Sequence, residues 1–187
     1  GGPGGIALAI AAANLGLPVV LVERAGLGGT NLRDGGVPSA ALRAAAGLNE
    51  ALRRGPAFGV SGAPLQVNLA RVQEHVRSVA GAVAANVSRQ RLEAFGVTVI
   101  EADASFVDRR TVLAGETTIR ARSFVIATGS APIRPDHDGL DGMETVDIGT
   151  VLDAARKPAH LIVLGANPHG LEMAQALNRL GIDASVI

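Results

Sequence analysis

Gly2-Pro3-Gly4-Gly5-Ile6-Ala7-Leu8-Ala9 and Asn167-Pro168-His169-Gly170-Leu171-Glu172-Met173-Ala174 are one pattern met twice, displaced by 165 positions from residue 2 to residue 167. The correspondence continues, with Leu15-Gly16 falling on Leu180-Gly181 and Val19-Val20-Leu21-Val22 on Ala184-Ser185-Val186-Ile187. Each copy reads as a Gly-rich turn, a helix of about three turns, a Gly stop and a short strand of parallel type. Two such units predict a doubly wound α/β architecture. Glycines in a turn of this kind permit the tight bend and let backbone N–H groups approach a pyrophosphate, which the helix N-terminus then faces. Glu23, at the end of the first unit, is placed to accept hydrogen bonds from ribose hydroxyls. The first strand would lie before Gly1 and the ribose-reading position of the second unit after Ile187, so the sequence is expected to be an excerpt of a longer chain.

Composition narrows the function classes. The chain has 187 residues, 48% of them hydrophobic, with 17 basic against 17 acidic side chains and no cysteine. The mean hydropathy is +0.30. Such a chain folds around a core rather than remaining disordered. Balanced charge gives no electrostatic footprint for nucleic acid or a membrane surface. The absence of cysteine excludes a disulfide framework, a zinc-thiolate site and a thiol nucleophile in this segment. No apolar run approaches a membrane span, and a cytoplasmic setting is expected.

Between the repeats, Pro38-Ser39 opens a helix with apolar positions Ala41, Ala45, Leu48 and Leu52, stopped at Gly55-Pro56. A longer helix is predicted from about Leu69 to Phe95, with Leu69, Val72, Val76, Val79, Val83 and Val87 as a core stripe. The period then changes to two. Val97–Ile100, Ser105–Val107 and Thr117–Ile119 read as a small antiparallel meander, and Phe124-Val125-Ile126 as a further strand leading into Ala127-Thr128-Gly129-Ser130. Residues 131–150, with Pro132, Pro135, Gly139 and Gly142, read as a connector, and a domain boundary falls near 150. Asp136-His137-Asp138 reads as a solvated loop rather than a metal site, because adjacent loop residues rarely converge on one ion.

The segment Gly28-Gly29-Thr30-Asn31-Leu32-Arg33-Asp34-Gly35-Gly36-Val37-Pro38-Ser39-Ala40 carries the chemistry. Together with the two Gly-rich turns, Glu23 and the Ala127-Thr128-Gly129 run, it resembles the class I pyridine nucleotide-disulfide oxidoreductases, nearest the dihydrolipoamide dehydrogenase and mercuric reductase branch. There the segment runs GGTCxNxGCxPSK. Asn31 and Gly36 stand at the two redox-cysteine positions and Ala40 at the lysine position.

The resemblance implies a Rossmann-type FAD-binding domain over residues 1–150, its first strand missing, with an inserted antiparallel meander. The start of a second Rossmann-type domain, for NAD(P), then occupies 151–187, and the whole is the three-layer ββα-like FAD/NAD(P)-binding fold. It implies FAD contacts at Gly2, Gly4, Gly5, Glu23, Gly29, Thr30, Ala104, Ala127, Thr128 and Gly129. It places NAD(P)H at the turn Gly165, Asn167, Pro168, His169 and Gly170. Asn167 replaces the middle glycine; asparagine accepts positive φ more readily than most residues, so the turn is expected to persist, with the side chain standing where the pyrophosphate approaches. Glu172 matches the glutamate that pairs with the family lysine near the flavin. With Ala40 opposite, it is expected to be a buried carboxylate deprived of its cation.

Asn31 and Gly36 cannot carry electrons or form a mixed disulfide. The expected activity is therefore FAD-dependent NAD(P)H oxidoreduction, hydride passing between nicotinamide and flavin without a redox disulfide. Soluble transhydrogenases of the same family, which lack a complete cysteine pair, offer the analogy. The alternatives are a catalytically silent flavin-binding or scaffold protein, and a cysteine-replaced variant of a true reductase. The resemblance further implies a homodimer formed through a C-terminal domain absent from this sequence, and a small-molecule electron acceptor.

Overall fold

In a computed structural model the described residues are 1–187 except 63–65, 132 and 152–156; the side chain of Ile148 is likewise outside the description. Pro132 of the connector therefore lies outside the described residues. The fold is mixed helix and sheet of the Rossmann type, and it divides into two compact units: Gly1–Arg33 with Ala82–His137, and Asp34–Gly81 with Asp138–Ile187.

In the first unit, helix α1 (Pro3–Asn14) leads to strand β1 (Val19–Glu23). Pro3 suits the first helical turn, where its missing N–H has no intrahelical partner to lose. Gly16 at φ +77 ends the helix in the left-handed region that glycine alone enters freely. A short helix α2 (Gly29–Arg33) follows, and later in the chain come helix α5 (Arg89–Ala94) and strand β2 (Val97–Glu101). β2 pairs parallel to β1, Val19 opposite Val97 and Glu23 opposite Glu101. Ile6 and Ala9 of α1, Leu92 of α5 and Val97 and Val99 of β2 form the core, with Leu21, Leu27 and Val87 packed around them. The antiparallel meander is β3 (Ala104–Asp108), β4 (Thr111–Ala114) and β5 (Thr117–Arg120), in that order across the sheet.

Three sequence expectations change here. Val97–Ile100 belongs to the parallel sheet with β1 and not to the meander; its alternating burial does not encode which neighbour it pairs with. The meander's central strand is Thr111–Ala114, between Arg109-Arg110 and Gly115, a stretch not among the expected strands. Phe124-Val125-Ile126 forms no ladder, because no described strand offers it a hydrogen-bonded neighbour, and Val125 and Ile126 are exposed.

In the second unit, helix α3 (Gly36–Arg54) and helix α7 (Pro168–Arg179) pack together. Strands β6 (His160–Val163) and β7 (Asp183–Val186) flank α7 in sequence and pair in parallel, Leu161 opposite Ala184. That is a complete βαβ unit at the second Gly-rich turn. Ala41, Leu42 and Ala46 of α3 meet Met173, Ala176 and Leu177 of α7, closed by Leu180 and Ile182. The expected α3 stripe was set off-axis: Leu48 and Leu52 are 62% and 51% exposed, whereas Leu42 is fully buried. A short helix α6 (Ile148–Val151) lies in the connector.

The expected long helix is two helices. α4 (Leu69–Ala84) ends in a 3-10 turn at Ala85–Val87, and Ser88 then caps α5, its hydroxyl accepting the Arg91 N–H at 3.4 Å. Serine in extended geometry at that position starts a helix rather than continuing one. Leu69, Val72, Val76 and Val79 do face the second unit's core, and Val87 packs in the first unit's. Among the described residues no helix is long and apolar enough to cross a membrane.

The packing assignments predict a sharp contrast between neighbours on α3. Leu42→Ala should lower the free energy of unfolding by about 2–5 kcal/mol, whereas Leu48→Ala should change it by less than about 0.5 kcal/mol, both read from denaturant midpoints.

Candidate functional site

The first Gly-rich turn is built by backbone touching backbone. The Gly28 N–H donates to the Gly1 carbonyl at 2.8 Å. Gly29, at φ +59, lies so close to Gly2 that a Cβ added there would stand 2.8 Å from the Gly2 Cα. Only a residue without a side chain fits that place and that backbone angle. Gly5 faces Ala127, where an added Cβ would meet the Ala127 Cβ at 3.4 Å. The turn, the Gly28-Gly29 loop and the Ala127 segment thus converge around the start of α1. Gly2 is the N-cap of α1 in extended conformation, and no side chain caps the helix.

Glu23 closes the same site. Its carboxylate accepts the Ala25 N–H at 2.7 Å. Burial pushes the Glu23 pKa up, and the backbone hydrogen bonds from Ala25 and Arg24 pull it down. An ionised carboxylate here is the state that accepts hydrogen bonds from hydroxyl groups. The Glu23 carbonyl accepts the Ala102 N–H at 3.0 Å, which ties the end of β1 to the approach of β3, where Ala104 lies. Thr30 and Asn31 sit exposed on α2, and Thr128 and Gly129 are exposed beyond Ala127.

Sequence reasoning passed over Arg33. Its Nη1 donates to the carbonyls of Ala25 and Gly26 at 3.1 and 2.9 Å, so α2 is pinned to the loop that follows Glu23. The signal was available, since an arginine replaces a short side chain of the family segment directly after Leu32.

In the second unit, Gly165 adopts φ +99, and a Cβ on Gly170 would stand 2.6 Å from the Gly165 carbonyl oxygen. The tight bend survives, but not through positive φ at Asn167. Asn167 is extended at φ −71 and ψ 162, the N-cap of α7, and its Oδ1 accepts the Gly170 N–H at 2.8 Å. Asparagine has found its ordinary helix-capping role in place of glycine's conformational one. His169 and Gly170 are half-buried beside it.

Glu172 corrects a further expectation. It is 44% exposed rather than buried, and Arg43 Nη1 lies 3.2 Å from its Oε1. Arg43 stands three residues beyond Ala40, one turn along α3, so a cation is supplied from the next position on the same face. Gly36 and Ala40 are exposed on α3. Asn31 belongs to the first unit and Gly36 to the second. Among the described residues no three His, Asp or Glu side chains gather as a metal would require.

A family model described as pyridine nucleotide-disulphide oxidoreductase matches residues 1–187. The chain is 34% identical over 186 residues to a mercuric reductase of Streptomyces lividans, covering 96% of this chain and 39% of that protein. It is 32% identical over 197 residues to a soluble pyridine nucleotide transhydrogenase of Mycobacterium bovis, covering 100% of this chain and 41% of that one. The crystal structure of LpdA from Mycobacterium tuberculosis superposes with a TM-score of 0.83 at 27% identity, over 100% of this chain and 42% of that chain. The chain thus spans well under half the length of these relatives.

Two substitutions test the local geometry. Gly29→Ala forces a Cβ into the Gly2 backbone at positive φ and should cost about 1–3 kcal/mol of stability, read by thermal denaturation. Arg43→Ala removes an exposed ion pair and should cost less than about 1 kcal/mol, with a salt-sensitive difference from the parent.

Proposed function

The chain belongs to the pyridine nucleotide-disulphide oxidoreductase family, and we propose that it binds FAD at its first Gly-rich turn and NAD(P)H at its second, transferring hydride between nicotinamide and flavin without a redox disulfide. The observation that carries the flavin half is the convergence of glycine backbone at Gly2 and Gly29 beside an uncapped helix and the Glu23 carboxylate. An uncapped N-terminus presents N–H groups to a pyrophosphate. In this reading Gly2, Gly4 and Gly5 hold the pyrophosphate, Glu23 the ribose hydroxyls, Gly29 and Thr30 the phosphate loop and Ala104 the adenine edge, with Ala127, Thr128 and Gly129 completing the cradle.

FAD supplies the two-electron chemistry, accepting hydride and passing electrons onward. Asn31 and Gly36 carry no sulfur, so the electrons leave for a small-molecule acceptor rather than a dithiol of this segment. The likeness to a protein named as a transhydrogenase supports that route. Residues 1–150 are the flavin domain in this proposal and 151–187 the start of the nicotinamide domain, where Gly165, Asn167 and Gly170 face the second nucleotide. A homodimer and a cytoplasmic setting complete it, by analogy with the family.

A second reading, a flavin-binding protein that nicotinamide does not reduce, is favoured by the Asn167 cap. Rapid mixing of the purified protein with NADH or NADPH separates the two. Bleaching of the visible flavin band is the expected outcome; a yellow protein that neither nucleotide reduces supports the silent binder. A colourless protein without releasable FAD overturns both. Glu23→Ala should weaken FAD retention about tenfold or more, the order expected when a partly buried charged acceptor is lost.

A further inference from the structure

The two Gly-rich turns open helices of twelve residues each, and they differ at the cap. At α1 the cap is Gly2, with no side-chain bond. At α7 the Asn167 Oδ1 accepts the Gly170 N–H at 2.8 Å. Pro168 brings no N–H to the same turn. Pro3 does the same at α1, so the Gly170 N–H taken up by Asn167 is the donor withdrawn from an anion at the second turn alone. The amide oxygen also presents partial negative charge where a phosphate would come.

The rest of the turn stays suited to a phosphate. Gly165 at φ +99 keeps the bend, and Gly170 packs directly on the Gly165 carbonyl. Asn167 is itself exposed, so its side chain has room to swing away. The obstruction is one rotatable group rather than a closed backbone.

We propose that Asn167 is an internal occupant of the α7 N-terminus, which the pyrophosphate of a nicotinamide nucleotide displaces in order to bind, making this side chain the residue that sets nicotinamide affinity. The inference rests on the reading of the second turn as the NAD(P)H site. The Gly170 N–H cannot serve both acceptors at full strength, so each dinucleotide bound costs one cap bond. Since α7 also packs its Met173, Ala176 and Leu177 into the second unit's core, the helix itself survives loss of the cap.

Calorimetric titration of the purified protein with NAD+ and NADP+ tests this. Asn167→Gly frees the Gly170 N–H and should bind at least one of the nucleotides about tenfold more tightly, the equivalent of one ordinary hydrogen bond. Asn167→Asp retains the capping acceptor and adds a negative charge, and should bind about tenfold more weakly or worse. Equal affinities across the series, or weaker binding by Asn167→Gly, overturn the proposal. Should Asn167→Gly fail to fold by circular dichroism, Asn167→Asp decides alone: affinity unchanged from the parent overturns it. Absence of heat for every variant overturns this inference together with the nicotinamide half of the proposed function. FAD content measured on the same samples keeps the flavin half separate, because a sample without FAD whose affinities still follow the Gly, Asn, Asp order refutes flavin binding and supports the role of Asn167.

Discussion

The approach of the Gly29 backbone to the Gly2 backbone is the constraint on which the first unit depends. Two chain segments this close leave no room for a side chain at position 29, and the hydrogen bond from Gly28 to Gly1 fixes their register. With that contact made, α1 starts where its N–H groups point into open space, and Ile6 and Ala9 are delivered one turn later to the core of Leu92, Val97 and Val99. Arg33 holds the second segment in place by clasping the loop after Glu23. The shape of the turn and the packing of the unit are thus set by the same few glycines, which is why a single methyl group at position 29 disturbs both.

The second unit rests on side-chain packing instead. α3 and α7 are joined by small residues, Ala41 and Ala46 against Ala176, with Leu42 and Leu177 filling the space between them. Small residues let the helix axes come close, and the larger leucines supply the apolar area. The Arg43–Glu172 pair bridges the same two helices at their exposed edge. An ion pair so open to water is screened and contributes little beside the core beneath it. It adds alignment and local charge, while the apolar contacts supply the stability.

What could be read in the sequence follows from how local each feature is. The Gly-rich turns, α1, β1 and the βαβ unit around α7 were legible because a turn's glycines, a Gly stop and an apolar strand sit within about 25 residues of one another, a span typical of such units. The parallel partner of β1 was not, because Val97–Glu101 lies far along the chain and alternation says nothing of which strand it joins. Thr111–Ala114 is too short to show a period. The break at Ser88 was readable from serine's capping chemistry, but a continuous valine stripe concealed it. On α3, alanines share both faces, and the pattern could not rank Leu42 above Leu48. At the candidate site, glycine positions were readable from spacing, whereas Arg33 and Arg43 act through long side chains whose reach no spacing reveals.

The departures from the family segment differ in what they ask of the fold. Asn31 and Gly36 remove sulfur chemistry without demanding anything of the backbone, since neither position is held by a buried contact. Ala40 removes a cation, and Arg43 one turn later restores one to Glu172, in a more solvated place. Asn167 is the exception, because it changes a hydrogen bond within the scaffold itself. Replacing glycine there converts a helix start that waits for an anion into one already satisfied by its own chain. A helix N-terminus left uncapped carries a free-energy penalty until a ligand arrives, and a capped one does not. The first turn therefore keeps its donors available at the expense of stability, while the second trades availability for stability, and the same repeated motif ends in two different physical states.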